Sequence, residues 1–187
     1  MEALSREEIR EELYDIEDIY ALPDGERAEL IDGKIYYMAP PNRNHQRIVI
    51  ELSTVINNYI KDNNGECEID IAPFAVFLSE NSKNYVEPDI SVICDKNKLT
   101  DKGCNGAPDW IIEVVSPSSR QMDYYKKLFK YRTSGVKEYW VVDPDKQVIT
   151  VYDFVKDSMT EYGFADKVQV GIYEDFVIDF SQINNLL

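Results

Sequence analysis

The 187-residue sequence is short of positive charge: 20 Lys and Arg stand against 35 Asp and Glu, a formal net charge of −15. A protein that grips the phosphate backbone over a broad surface is normally basic. Any role on nucleic acid therefore needs a local basic surface, a cationic partner or bound metal ions. Histidine is scarcer still, with His45 the only one, which argues against a His-rich metal site or a Ser-His triad. There is no GxSxG and no Gly-rich phosphate loop, the motifs of elbow-type hydrolases and of nucleotide-binding loops. The three cysteines, Cys67, Cys94 and Cys104, are odd in number and form no CxxC. They are expected to be reduced thiols rather than a disulfide framework or a zinc site. No run approaches the ~20 apolar residues of a membrane span, and the opening MEALSREEIREEL is too charged for a secretory signal. The expectation is a soluble, cytoplasmic protein with no membrane partner.

What is present is globular: 44% hydrophobic and 29% charged residues, enough for one domain over 1–187 with a real core. Apolar spacing at Ile9, Leu13 and Ile16 predicts a helix over 5–21, with Ser5 as N-cap. Residues 27–38 read as a β-hairpin turning at Asp32-Gly33. Ile48, Val49, Leu52, Val55, Ile56 and Tyr59 mark an amphipathic helix over 44–61, ended by Asn63-Asn64-Gly65. Strands are expected at 66–78, 86–94 and 110–115. A helix opened by Ser116-Pro117-Ser118-Ser119 should run to about Thr133, with Ser118 and Ser119 as caps. Strands at 138–142 and 147–154 follow, and weaker ones at 167–170 and 175–178. A strand–helix–strand step across 110–142 implies a parallel pair with a crossover helix. The fold class is α/β: a mixed sheet flanked by helices, with additional β-hairpins.

Glu113 sits inside the apolar strand Trp110-Ile111-Ile112-Glu113-Val114-Val115, where a charge is costly unless it is paired or binds a cation. Asp89 follows Pro88 at the start of Ile90-Ser91-Val92-Ile93, and proline suits the first residue of a strand. Two carboxylates from adjacent strands can hold one divalent cation, and Mg²⁺ takes one or two, with waters and substrate phosphate completing its shell. Pro108-Asp109 offers a nearer Pro-Asp pair. However, Asp109 and Glu113 would share one strand four residues apart, about 13 Å at ~3.3 Å per residue, too far to hold one metal.

Val86-Glu87-Pro88-Asp89 followed by Ile112-Glu113-Val114-Val115 resembles the Pro-Asp…Glu-x-Lys signature of the restriction-endonuclease-like, PD-(D/E)xK superfamily. The run EVVSPSSRQMDYYKKLFKYRTSGVKEYWVVDP, with the earlier ELIDGKIYYMAPP and Asn44-His45, is similar to the Uma-type family of restriction endonucleases. The matches lie in order across about residues 27–144. The resemblance implies a restriction-endonuclease-like fold and Mg²⁺- or Mn²⁺-dependent cleavage of DNA, with Asp89, Glu113 and the Val114 carbonyl as the metal shell.

The sequence departs from the superfamily at Val115, where the lysine should stand. The next helix offers Lys126, Lys127 and Lys130. Taking Tyr124, Leu128 and Tyr131 as the buried arc, Lys127 falls at its margin, about 40° from Tyr131 at 100° per residue, while the other two point further to solvent. Asp123, four residues earlier, could orient the Lys127 ammonium. The resemblance implies the same lysine, with a tyrosine four residues on, here Tyr131. It also matches Glu29 to the family's early glutamate, completing the metal shell, and His45 to a site residue; the alternatives are an exposed hairpin carboxylate and a structural histidine on the apolar face of its helix.

Arg120, Lys126, Lys127, Lys130, Arg132 and Lys137 form the only markedly basic stretch, either a nucleic-acid surface or a solvated helix face. The rival reading is a binding or regulatory protein that kept the fold without efficient cleavage. A homodimer, as for enzymes cutting two strands, is left open, with 13 Tyr available for an interface.

Overall fold

The computed structural model describes residues 13–79 and 82–186. Its first helix, α1 (Ile16–Tyr20), is capped by Asp15, whose side chain accepts from the Glu17 amide. Among the described residues, the helix expected over 5–21 is reduced to α1, since Leu13 and Tyr14 are not helical. Its proposed cap, Ser5, and Ile9 lie outside the described residues. The hairpin β1 (Ala28–Ile31) and β2 (Lys34–Tyr37) turns where expected. Asp32 and Gly33 both have positive φ, 51° and 75°, the backbone that a two-residue turn matching the strand twist requires. The long helix α2 (Arg43–Asp62) follows, and the Asn42 side chain accepts from the His45 amide at its start.

The two strands expected next are each broken in two. The first becomes β3 (Glu68–Ile71) and β4 (Val76–Phe77), and the second β5 (Tyr85–Val86) and β6 (Ile90–Ile93). The breaks fall at Pro73 and Pro88, because proline cannot donate to a ladder. The pieces join different sheets. Short β7 (Leu99–Thr100) and β8 (Gly103–Asn105) then lead to β9 (Trp110–Val114). A π-helical segment, Met122–Lys127, runs into α3 (Leu128–Ser134). Next come β10 (Glu138–Asp143), β11 (Val148–Asp153), β12 (Ser158–Gly163), β13 (Lys167–Gln169), β14 (Val177–Asp179) and α4 (Phe180–Asn184). Neither β12 nor α4 was expected. β12 is mostly exposed, so no apolar alternation announced it.

The main sheet has the order β12-β11-β10-β9-β6-β3 and the second β2-β1-β5-β4-β8-β7, while β13 and β14 pair separately. β9 and β10 are parallel, across the expected crossover, and the other main-sheet pairs are antiparallel. Ile48, Leu52 and Ile56 of α2 pack on one face of the main sheet, against Ile90, Val92, Trp110, Ile112 and Trp140. Ile111, Val115, Tyr139 and Val141 form the other face, covered by Tyr131 and Val136. Side chains alternate along a strand, so Glu113 shares the face of Ile111 and Val115 and points towards the π-helical segment.

The cysteine expectation is corrected. Cys67 and Cys94 are joined by a disulfide, and Cys104 is free and buried. The register explains it: Glu68 stands opposite Ile93, so the next pair outward is Cys67 with Cys94. Odd cysteine number and missing CxxC carry no information about which strands pair. The thiol-based ground for a cytoplasmic location goes with it. No described helix is long and apolar enough to cross a membrane.

Candidate active site

A pocket of about 340 Å³ opens at the seam between the two sheets. β1 supplies Glu29, the Pro88 break supplies Asp89, β9 supplies Glu113 and Val114, the start of α2 supplies His45, and the π-helical segment supplies Asp123 and Lys127. All six residues expected from the sequence, Asp89, Glu113, Val114, Lys127, Glu29 and His45, line it.

Asp89 Oδ2 accepts from the Val114 amide at 2.8 Å and lies 3.1 Å from His45 Nε2. The Asp89 amide faces Glu113 Oε2 at 3.4 Å. The two carboxylates are therefore neighbours across the β6–β9 seam. The N–H and C=O of one strand residue leave on the same side, so the Val114 carbonyl faces the Asp89 side as well.

Lys127 is deeper than its helical position implied. It is 4% exposed, and its ammonium sits 2.9 Å from both Glu113 Oε1 and Glu29 Oε1 and 3.8 Å from Asp123 Oδ1. The Tyr131 hydroxyl donates to Glu113 Oε1 at 2.7 Å. The 100° reckoning put Lys127 at the margin because it assumed an α-helix. In the π-helical segment the backbone is wound wider, and Lys127 and Asp123 turn inward while Tyr124 stays half-buried. Glu29 is not an exposed hairpin carboxylate: it is buried and also accepts from the Glu87 amide at 3.0 Å.

Burial pushes the Glu113 carboxyl well above its ordinary value; Lys127 lowers it by less, and the Asp89, Asp123 and Glu29 charges raise it further. Asp123 is likewise pushed up by burial, to about 6. For Lys127 burial works towards loss of the proton, but Glu113, Glu29 and Asp123 outweigh it and hold the ammonium charged. One cation thus serves three carboxylates, with Asp89 beside them, leaving an excess of negative charge that protons or a metal cation can relieve.

The expected metal shell can be tested against these donors. Among the described residues, Glu113 Oε2 has only its long contact to the Asp89 amide, and the Asp89 carboxylate is bound through Oδ2 alone. Among the described residues no three His, Cys, Asp or Glu side chains stand together as a ready metal cage. Two carboxylates with a carbonyl and open oxygen positions instead match what Mg²⁺ takes. The residues fit a hard divalent cation.

Other expectations are met or corrected in turn. Asp109 is a structural group, as its distance from Glu113 implied: Oδ2 accepts from the Cys94 amide at 2.7 Å and Oδ1 pairs with Lys137 at 2.7 Å. Ser116 and Ser119, not Ser118 and Ser119, brace the turn, each amide bonded to the other's hydroxyl. The basic stretch is largely solvated, with Lys126, Arg132 and Lys137 exposed, but it is paired rather than an open basic surface. Arg120 pairs with Asp143 and Asp145, Lys130 with Asp32, Arg132 with Asp157 and Lys137 with Asp109. Lys126 donates to the Tyr36 hydroxyl at 2.6 Å and lies over that ring.

Two site residues were missed, Arg27 and Glu87, which pair with each other at the pocket wall. The signal was period two: Arg27 and Glu29, and Glu87 and Asp89, are each two apart in extended chain and so share a face.

Residues 10–180 match the family described as Uma2, "Putative restriction endonuclease". The chain is similar to two uncharacterized proteins of Synechocystis sp. (strain ATCC 27184 / PCC 6803 / Kazusa). One, slr1290, is 29% identical over 159 residues, 82% of each chain. The other, sll1609, is 32% identical over 121 residues, 63% of this chain and 67% of that one. Among solved structures it resembles a "putative nuclease belonging to DUF820" from Anabaena variabilis ATCC 29413. That TM-score is 0.75 at 22% identity, covering 91% of this chain and 97% of the other, a likeness of fold.

Proposed function

We propose that this chain, which belongs to the Uma2 family, is an endonuclease that hydrolyses phosphodiester bonds in DNA with a divalent cation bound at Asp89 and Glu113. The observation that carries the reading is the Lys127 ammonium. It reaches Glu113 from a helix and takes the place of the strand lysine that Val115 displaced.

Asp89, Glu113 and the Val114 carbonyl would hold the cation, which when bound supplies charge for the phosphate and a more acidic water. His45 and the Val114 amide fix Asp89. Lys127, kept charged by its carboxylates, lies where it can steady the attacking water or the charge that develops on the phosphate oxygens. Glu29 and Asp123 hold Lys127 in that position.

The test is cleavage of plasmid and of single-stranded DNA in Mg²⁺ or Mn²⁺, with EDTA as control. Metal-dependent cleavage is expected. The neutralised basic stretch and the −15 charge favour one rival, a protein that binds without cutting. Binding without cleavage in every condition selects that rival.

A further inference from the structure

An anion that enters the pocket meets five carboxylates, Glu29, Glu87, Asp89, Glu113 and Asp123, and two cations, Arg27 and Lys127. The Lys127 side chain is 5% exposed and its ammonium is shared among three carboxylates, so most of its hydrogen-bonding capacity is already taken. The Arg27 side chain is 37% exposed and is the more open of the two cations to an incoming group. Its Nε lies 2.9 Å from Glu87 Oε2, and its Nη2 contacts the same oxygen. A guanidinium carries five N–H donors, so among the described residues these two bonds leave three for another partner.

The guanidinium is held rigidly. Glu87 is buried, and its other oxygen accepts from the Tyr85 hydroxyl at 2.5 Å. The Glu87 amide donates to Glu29 Oε1, which ties this wall to the carboxylates below. On the other side, the Arg27 carbonyl accepts from the Met38 amide at 2.8 Å and continues the β1–β2 ladder. A planar donor fork fixed along one edge and open along the other suits a phosphate, which accepts two parallel N–H bonds.

We propose that Arg27 is the phosphate-binding group of the pocket, taking a backbone phosphate of the substrate strand on its free edge, with Glu87 as its positioning residue. This rests on the nuclease reading and adds to it the contact that seats the strand. The competing account is that Arg27–Glu87 only braces β1 against β5. A brace changes thermal stability but has no reason to change how binding responds to salt.

The experiment measures anisotropy of a fluorescein-labelled oligonucleotide, single-stranded and duplex, on the full chain with Ca²⁺ replacing Mg²⁺ across a KCl series. Thermal unfolding and Mg²⁺-dependent cleavage are followed in parallel. Arg27→Ala is expected to weaken binding about tenfold and to lower the slope of log K on log salt by about one. Mg²⁺-dependent cleavage at subsaturating DNA should fall about as far as binding does. Arg27→Lys keeps the charge without the fork and should bind nearly as weakly as Arg27→Ala. An unchanged salt slope with a lowered unfolding temperature leaves only the brace. Wild-type binding by Arg27→Lys shows that a point charge suffices and overturns the fork. If wild type cleaves and Arg27→Ala binds like it, this inference falls and the nuclease reading stands. If wild type neither binds nor cleaves, both fall.

Discussion

Asp89 and Asp109 each follow a proline and each holds a backbone amide of the β6–β9 region, but they do different work. Asp89 faces the pocket beside Glu113, whereas Asp109 ties Cys94 to Lys137. Burial alone would raise the Asp109 carboxyl, but Lys137 and the Cys94 amide outweigh it and hold it below its ordinary 3.8. A depressed carboxyl stabilises the fold above its unfolded pKa, and the contribution is lost as pH falls through the folded value. Lys137 is half-exposed, so its share is screened by solvent, and the Cys94 amide adds to it. Asp109→Asn should cost about 1–2 kcal/mol at pH 7, with the gap to wild type closing below pH ~3.8 in urea or thermal unfolding. A constant gap would mean that the carboxylate charge is not what stabilises. Lys127 makes the opposite case. Lys127→Met leaves Glu113, Glu29 and Asp123 without their cation, and breaking such a buried set costs about 3–5 kcal/mol. Loss below ~1 kcal/mol would show the carboxylates finding protons easily. The Asp89/Glu113 pairing was legible from two adjacent strands and the family resemblance, with Asp109 excluded by distance; Arg27 and Glu87 belong to no motif, and only their period-two spacing from Glu29 and Asp89 marks them.

Elements with one clear period were readable: the hairpin turned at Asp32-Gly33, and α2 buried Ile48, Val49, Leu52 and Ile56 of the expected stripe, though not Val55. The helix after β9 was readable as a helix but not as to its winding, because nothing in its residue pattern separates a π-helical turn from an α-helical one. That turn decides where Lys127 points. Removing one residue from the segment should restore α-helical winding with the flanks nearly in phase, and change the offset of Lys127 from Asp123 across the turn. Tyr125, exposed at 71%, can be deleted with little loss of packing. The Tyr125 deletion should keep the far-ultraviolet circular dichroism spectrum of the wild type while cleavage falls at least about tenfold. Full activity with native-like helicity would mean that the π-helical turn does not set the site.

At the scale of the molecule, the sequence implied one mixed sheet, and the structure has two large ones. The strands at 66–78 and 86–94 look continuous because apolar residues persist through them, but proline breaks both at the same level and the chain passes from sheet to sheet there. The pocket opens at that crossing, with Asp89 at the break itself. Long-range charge was less legible. The 120–137 stretch read as basic, yet its partners Asp32, Asp109, Asp143 and Asp157 come from distant parts of the chain, invisible to local counting. Under the proposed function, an acidic protein with this surface would depend on its pocket to hold an anionic strand, and the pocket on its carboxylates to hold a cation. The most direct measurement is therefore the initial rate of Mg²⁺-dependent DNA cleavage by wild type, Asp89→Ala and Asp109→Ala, prepared alike and assayed at one enzyme concentration. The account predicts cleavage by wild type, a loss of at least about a hundredfold in Asp89→Ala, and retention in folded Asp109→Ala. Undiminished cleavage by Asp89→Ala would contradict it.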